Sequence, residues 1–300
     1  MKELVIIGGG PAGLAAAAYA IRKRIDMLLI SEQLGGKSAV TVRFPGVEDH
    51  RVIRAHELVE SFRNQVEYLD HVHMRDNVEK VDVGTEQMKV FLRKGDPIET
   101  KTVLVATGTT PRTLGVPGER SLFGKGLGYS SVSYSHLLAD RRAFLLGDTN
   151  RVLHAAVELS AQAEQVTVLL DPAGAYNEDL KRRVAGYGNL ELIEDHDVVE
   201  FAGQEWAERV VLESDAGQRR VEEADAFFLE RHPVPNSGVV SSIVDLDPEG
   251  HIIVDAGGGT SHDGIFAAGD VTSVGLEQVL SAMGDGVKAV LSAYDYILTR

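Results

Sequence analysis

The opening of the chain carries three glycines at the spacing of a dinucleotide-binding turn. An aliphatic run at residues 4–7 leads into Gly8, Gly10 and Gly13, and an alanine-rich segment follows. In such turns the first glycine makes the bend, the second lets the backbone approach a diphosphate, and the third lets the helix pack on the strand. The spacing therefore predicts a strand, a tight turn and a helix whose N-terminus faces an anion.

An acidic residue stands where a dinucleotide site needs one. A second aliphatic run at residues 27–30 ends beside Ser31 and Glu32, and Glu32 follows Gly8 by 24 residues. A carboxylate at this place suits a ribose hydroxyl. Ser31, at the end of the same run, is an alternative partner for that hydroxyl. The combined pattern favours a dinucleotide site over a chance glycine turn.

The same pattern occurs a second time in the middle of the chain. Residues 143–171 again follow the order strand, turn, helix, strand and acid, and Asp171 follows Gly147 by 24 residues. The match in length predicts an internal repeat of the dinucleotide-binding fold.

The second turn has lost most of its glycine pattern. Thr149 and Val152 stand where the second and third glycines belong, and Asp148 adds a carboxylate to the turn. A β-branched residue cannot copy the conformations of glycine, and a carboxylate repels a diphosphate. We therefore expect NADPH and NADH to bind and reduce this protein poorly, although Asp171 would favour NADH over NADPH.

Composition excludes several classes of function. The net charge of −15 argues against nucleic-acid binding, because phosphate contacts need clustered cations. The chain contains no cysteine, and its 10 histidines show no spacing typical of a metal site, so we expect no metal. The chain enters a strand at once and has no apolar run of ~20 residues, which predicts a cytoplasmic protein without a membrane span.

Five segments together resemble one enzyme family. They are GGGPAG at 8–13, FPG at 44–46, ATG at 106–108, GIFAAGDV at 264–271 and EQVLSAMGDGVKAVLSAYDYI at 277–297. The chain resembles the low-molecular-weight thioredoxin reductases in this order over essentially all its length. The resemblance implies an α/β fold of two Rossmann-like doubly wound domains, with the second inserted in the first. It also implies a homodimer.

The resemblance assigns a cofactor to each domain. FAD is expected in residues 1–114 and 244–300, and NADPH belongs to the inserted domain, residues 115–243, whose turn is degenerate here. The residues that the resemblance places at FAD are Gly8, Gly10, Pro11, Ala12, Gly13, Ser31, Glu32, Gly35, Gly36, Lys37, Thr107, Gly108, Gly269, Asp270, Glu277, Gln278 and Val279.

Individual roles follow from the resemblance, each with a simpler alternative. Asp270 would hydrogen-bond the ribityl–phosphate region of the flavin, or only cap a helix. Gln278 would lie under the pyrimidine edge, or be an ordinary surface glutamine. Thr107 and Gly108 would pass near the diphosphate, or simply form a turn. Lys37 stands where the family usually has glutamine.

The loop GLGYSSVSYS at 126–135 corresponds to the redox loop of these enzymes. Ser130 and Ser133 fall on the positions of the two cysteines that carry electrons in the family, and Tyr129 precedes them. A serine hydroxyl cannot form a disulfide, so dithiol exchange cannot run through this loop. The catalytic residues are therefore unknown at this point.

Three functions stay open on the sequence. The first is an FAD-dependent oxidoreductase that passes electrons between FAD and a partner other than a dithiol, such as a ferredoxin, flavodoxin, quinone or small molecule. The second is a non-catalytic FAD-binding pseudoenzyme or redox sensor. The third is a conventional NADPH-dependent thioredoxin-disulfide reductase. The electron donor and acceptor are not identified by any motif.

Overall fold

A computed structural model describes residues 1–47, 55–69, 71–85, 87–274 and 277–300. The chain divides into two compact units. Unit 1 consists of Met1–Val40, Ile53–Thr110 and Val234–Arg300, and unit 2 consists of Thr41–Val52 and Pro111–Pro233. No helix among the described residues is long and apolar enough to span a membrane.

The secondary structure consists of short strands and six α-helices within the described residues. The strands are β1 (Lys2–Ile7), β2 (Met27–Ile30), β3 (His73–Met74), β4 (Val78–Val83), β5 (Met88–Leu92), β6 (Ile98–Val105), β7 (Thr109–Thr110), β8 (Leu127–Gly128), β9 (Arg142–Thr149), β10 (Gln165–Ala175), β11 (Leu190–Ile193), β12 (His196–Ala202), β13 (Arg209–Ser214), β14 (Arg219–Glu223), β15 (Ala226–Glu230), β16 (Val234–Pro235) and β17 (Ile265–Ala267). The α-helices are α1 (Pro11–Arg22), α2 (Ala55–Glu67), α3 (Glu119–Leu122), α4 (Asn150–Ser160), α5 (Glu178–Val184) and α6 (Val279–Thr299), and 3-10 turns cover Gly36–Ala39, Ser131–Leu137 and Gly269–Val271.

Unit 1 is built on a mostly parallel sheet. The strand order β3-β2-β1-β6 is parallel throughout, and β17 pairs in parallel with the second half of β6. The first half of β6 pairs instead with β5 of the antiparallel hairpin β4–β5. The parallel strands therefore end at one common edge, which is where α/β sheets bind ligands.

Both faces of the unit 1 sheet are covered. Leu4 and Ile6 point into one core together with helices α1, α2 and α6, whereas Val5 and Ile7 point into a second core on the other face. Because neighbouring residues of a strand point to opposite faces, a strand buried on both sides must be apolar at every position. This explains why the first strand is an unbroken aliphatic run.

Unit 2 repeats this arrangement and adds a second sheet. Its parallel sheet has the order β11-β10-β9-β15-β8. In the antiparallel sheet, the strands β12, β13 and β14 are neighbours in the same order as in the chain. Ala143 and Leu145 lie in a core with α4, while Phe144 and Leu146 lie in a core with the antiparallel sheet. The predicted α/β class with parallel sheets is confirmed.

Candidate functional site

The glycine turn of unit 1 is formed by backbone contacts that only glycine permits. Gly8 has φ +111°, and a Cβ placed on it would lie 2.3 Å from the carbonyl oxygen of Ala106. A Cβ on Gly13 would lie 1.9 Å from the carbonyl oxygen of Gly8, so the helix rests directly on the turn. These contacts are the two structural tasks that the sequence assigns to the first and third glycines.

The second glycine faces open space. A Cβ on Gly10 would meet no atom within 4 Å. Gly10 is the N-cap of α1 with no side-chain hydrogen bond, and Pro11 follows at the first position of the helix. The backbone N–H groups at the start of α1 therefore have no capping side chain, which leaves them to an anionic ligand. Ala12 is buried and lies against α6 at Gly286.

The loop after β2 packs on this turn. The backbone N–H of Gly35 donates to the carbonyl oxygen of Gly9 at 2.7 Å. Gly36 has φ +55°, and a Cβ on it would lie 2.9 Å from the Cα of Gly10. The structure thus brings the predicted residues Gly35 and Gly36 against the glycine turn.

Lys37 connects this loop to two carboxylates at the same edge. Its Nζ lies 2.7 Å from Asp270 Oδ2 and 3.2 Å from Glu277 Oε1. The Nζ also donates to Thr109 Oγ1 at 2.6 Å, and the Thr109 hydroxyl donates to Glu277 Oε1 at 2.9 Å. These four side chains, Lys37, Thr109, Asp270 and Glu277, are called the Lys37 cluster below.

The other predicted residues of unit 1 lie around the same edge. Ser31 is buried and its Oγ is 3.1 Å from His73 Nε2, whereas Glu32 is exposed and its Oε1 lies 3.0 Å from Arg93 Nη1. An exposed carboxylate can accept from a ribose hydroxyl, which suits Glu32 better than the buried hydroxyl of Ser31.

The strand ends near the start of α6 complete the edge. Thr107 donates through Oγ1 to the carbonyl oxygen of Asn236 at 2.7 Å, and Gly108 has φ +65°. Gln278 is the N-cap of α6 without a side-chain hydrogen bond, so Val279 begins the helix. Gly269 has φ +75°, and a Cβ placed on it would lie 3.0 Å from the Cβ of Ala12.

The corresponding turn of unit 2 is capped by its own side chain. Thr149 is the N-cap of α4, and its hydroxyl accepts from the backbone N–H of Arg151 at 3.4 Å. A Cβ on Gly147 would lie 2.5 Å from the Cβ of Val152, which is fully buried. The start of α4 thus has a side-chain cap, which the start of α1 in unit 1 lacks.

Charged and aromatic side chains contact residues of this second turn. Arg231 contacts Asp148 at 3.7 Å and Asp171 at 3.3 Å. Asp148 Oδ1 also accepts from the backbone N–H of His232 at 2.7 Å. The hydroxyl of Tyr176 donates to the carbonyl oxygen of Gly147 at 2.5 Å. Burial and the charges of Asp171 and Asp148 raise the pKa of Tyr176, which keeps this phenol a hydrogen-bond donor.

The serine loop of unit 2 exposes Ser130 and Ser133, the two residues that the resemblance aligns with the redox cysteines of the family. Ser130 is exposed and has φ +58°, and Ser133 is exposed in the 3-10 turn that follows. The N–H of Ser131 donates to the buried carboxylate of Glu230 at 2.5 Å, and Glu230 Oε2 contacts Arg151 Nε at 3.0 Å. Hydroxyls in this loop can donate or accept hydrogen bonds, but they cannot carry electrons.

One group of potential metal ligands occurs among the described residues. Asp247, Glu249 and His251 place ligand atoms within 4.8 Å of one another. Asp247 is a turn residue: although burial acts to raise its pKa, hydrogen bonds from the backbone N–H of His251 and Glu249 and the charge of His251 hold it below the usual value. Hydrogen bonding within a turn accounts for this arrangement.

The sequence did not indicate four residues that lie at the ligand edges of the two parallel sheets. Thr109 connects Lys37 to Glu277 in unit 1. Tyr176, Glu230 and Arg231 make hydrogen bonds or ion pairs at the strand ends of unit 2. Glu230 and Arg231 lie at the end of buried strand β15, and polar residues at strand ends line the ligand edge of a parallel sheet. Their position at the end of a buried apolar strand is the sequence signal that could have indicated Glu230 and Arg231.

Comparison with known proteins places the chain in a family. Residues 2–286 match the pyridine nucleotide-disulphide oxidoreductase family. The chain belongs to this family. The F component of the alkyl hydroperoxide reductase from Pseudomonas aeruginosa is 30% identical over 303 residues, covering 99% of this chain. The chain spans 58% of the length of that relative.

Solved thioredoxin reductases have the same fold along the chain. The enzyme from Streptococcus pyogenes is 29% identical with a TM-score of 0.88, and the match covers 100% of this chain and 99% of that one. The enzyme from Giardia duodenalis is 25% identical with a TM-score of 0.86, covering 99% of each chain. This member of the pyridine nucleotide-disulphide oxidoreductase family therefore has the thioredoxin reductase fold, and its family implies FAD and usually NADPH as cofactors.

Proposed function

We propose that this protein is an FAD-dependent oxidoreductase that exchanges electrons with a partner other than a dithiol and does not use nicotinamide dinucleotides at unit 2. The observation that carries the proposal is the difference between the two turns. A Cβ on Gly10 would meet no atom within 4 Å, whereas Thr149 caps the helix at the second turn.

The residues of unit 1 fit a bound FAD. Gly10 leaves room for the diphosphate, and the uncapped start of α1 offers backbone N–H donors to it. Glu32 is exposed where the adenosine ribose would lie, and Asp270 with the start of α6 would hold the flavin half. FAD would supply the capacity to accept and release electrons, which no side chain of this protein provides.

Several contacts of unit 2 are unfavourable for a bound nicotinamide dinucleotide. A diphosphate at its turn would meet the carboxylate of Asp148, and the helix N-terminus already has a cap from Thr149. Arg231 is held between Asp148 and Asp171, so its positive charge is already compensated. We therefore propose that electrons reach the flavin from a donor other than NADPH or NADH.

The absence of cysteine defines the acceptor class. The chain has no cysteine at any position, so no internal dithiol can relay electrons to thioredoxin. The structural relatives named above are thioredoxin reductases, but reduction of a disulfide by dithiol exchange requires cysteines, and this chain has none. A ferredoxin, flavodoxin, quinone or small molecule remains as the partner.

We propose a homodimer by analogy with the family. A mass of twice 32.4 kDa by light scattering would support the homodimer, and a mass near 32.4 kDa would contradict it.

Anaerobic spectroscopy tests the proposal directly. The purified protein should show flavin absorbance, and the released cofactor should have the mass of FAD. Excess NADPH or NADH should leave the oxidised spectrum unchanged for minutes, while dithionite bleaches it. Turnover with an added one-electron or quinone acceptor then separates an enzyme from a non-catalytic FAD-binding protein.

Three results would contradict the proposal, each in a different part. Colourless protein that cannot be reconstituted with FAD would show that FAD is not the cofactor. Bleaching of the flavin within seconds by either nicotinamide dinucleotide would show that the protein is a nicotinamide-dependent reductase. Reduction of a disulfide substrate would show that dithiol exchange needs no cysteine of this chain.

A further inference from the structure

We infer that Lys37 sets the affinity of unit 1 for its anionic dinucleotide by compensating the carboxylates of Asp270 and Glu277. This inference rests on the proposed function, because it takes FAD as the ligand. Lys37 Nζ lies 2.7 Å from Asp270 Oδ2 and 3.2 Å from Glu277 Oε1, so one cation contacts both acids.

The position of Lys37 beside the glycine turn gives the ion pairs their significance. Gly36, its neighbour in the chain, has the Cα of Gly10 2.9 Å from where a Cβ would lie. The N–H of Gly35 donates to the carbonyl oxygen of Gly9 at 2.7 Å. The loop that carries the cation is thus attached to the turn at which the diphosphate would bind.

The lysine compensates a concentration of negative charge at this edge. The side chains of Asp270 and Glu277 are 13% and 19% exposed, so their charges are only partly screened by water. The diphosphate of FAD brings two further negative charges. Lys37 is the cation of the cluster and contacts both acids. Its removal would leave these like charges less compensated.

A purely structural role for Lys37 makes a different prediction. If the lysine only tethered the loop, a substitution would lower the stability of the protein without FAD, and salt would have little influence on FAD affinity. A charge-compensating role makes the loss of affinity large at low salt and small at high salt, because screening weakens repulsion. Removal of one of the acids should then restore binding.

The test is a titration of FAD-free protein with FAD, followed by flavin fluorescence, at ~50 mM and ~500 mM salt. We expect Lys37→Gln to weaken binding about tenfold at low salt, or about 1.4 kcal/mol, and less than about threefold at high salt. Lys37→Arg should bind like the wild type. The double variant Lys37→Gln, Glu277→Gln should recover most of the affinity, and Glu277→Gln alone should bind more tightly than the wild type.

Lys2→Gln is the matched control. Lys2 contacts Asp26 at 2.6 Å in the same unit, at the opposite end of β1 from the turn. The control should change neither the affinity nor its salt dependence. Wild-type binding by Lys37→Gln, or an equal loss at both salt concentrations that the double variant does not recover, would overturn the inference alone. A wild-type protein that does not bind FAD would overturn the proposed function as well.

Discussion

The turn after β1 and the turn after β9 connect a buried strand to a helix in the same way, but the space beside them differs. In unit 1 the N-cap of helix α1 is Gly10, which has no capping side chain and no atom within 4 Å of where a Cβ would lie. In unit 2 the N-cap of helix α4 is Thr149, whose side chain caps the helix, while Tyr176 and Arg231 contact residues of the turn.

The comparison shows that topology and ligand binding depend on different residues. Strand order and core are kept by aliphatic residues such as Leu4–Ile7 and their counterparts in β9. Ligand space is decided by a few residues at the strand ends. At the second turn the polar side chains have partners within the protein: Thr149 caps α4, Tyr176 donates to Gly147, and Asp148 accepts from His232.

We expect the largest effect from alanine in the turn of unit 1. Gly13→Ala places a Cβ 1.9 Å from the carbonyl oxygen of Gly8, so it should lower the free energy of unfolding by about 3 kcal/mol or more. Gly10→Ala is the matched variant: Gly10 has φ −75° and no neighbour within 4 Å of a new Cβ, so stability should change by less than ~0.5 kcal/mol.

FAD affinity sharpens this pair. Although Gly10→Ala leaves the fold intact, its Cβ enters the space assigned to the diphosphate, so we expect FAD to bind at least about tenfold more weakly. Chemical unfolding of the FAD-free variants and FAD titration measure the two effects separately. Normal FAD affinity in Gly10→Ala would show that the diphosphate does not lie at this turn.

A smaller loss of stability should follow from neutralising the buried acid of unit 2. Glu230 is 2% exposed, accepts from Ser131 N and pairs with Arg151 at 3.0 Å. Glu230→Gln should therefore cost about 2–3 kcal/mol, since it leaves a partly buried cation with a weaker partner. Glu213→Gln, which breaks an exposed pair with Arg219, should cost at most about 0.5 kcal/mol. Equal losses in urea unfolding would contradict the assigned role of Glu230.

How much of this comparison the sequence predicts differs between fold and site. The repeat of strand, turn and helix follows from residues close together in the chain, so both units could be predicted. The sequence pattern presents Thr149 only as a missing glycine, although threonine is also a frequent N-cap. The contact of Lys37 with Asp270 joins residues far apart in sequence, and no local pattern specifies such a pair.

The smallest expected effect concerns Tyr176 and depends on pH. Tyr176→Phe removes one hydrogen bond to Gly147 and should cost about 1 kcal/mol near pH 8. Burial and nearby acids raise the pKa of Tyr176 above its unfolded value of 10.0, so its contribution is complete below pH 10 and is lost as the pH rises further.

Urea unfolding of the wild type and Tyr176→Phe from pH 8 to 11 checks this. The difference between them should shrink above about pH 10. Tyr187→Phe, at an exposed tyrosine of the same unit, should change stability near pH 8 by less than ~0.5 kcal/mol. A Tyr176→Phe difference that grows with pH would have the wrong sign for a buried phenol.

The number and identity of bound dinucleotides test the central difference between the two units most directly. Native mass spectrometry of FAD-free protein mixed with FAD, NADPH and NADH in equal amounts gives both in one spectrum. We predict one FAD per chain and no nicotinamide dinucleotide at any ratio. A nicotinamide adduct in addition to FAD would show that unit 2 still binds its dinucleotide, and an FAD-free chain would show that the open turn of unit 1 is not a flavin site.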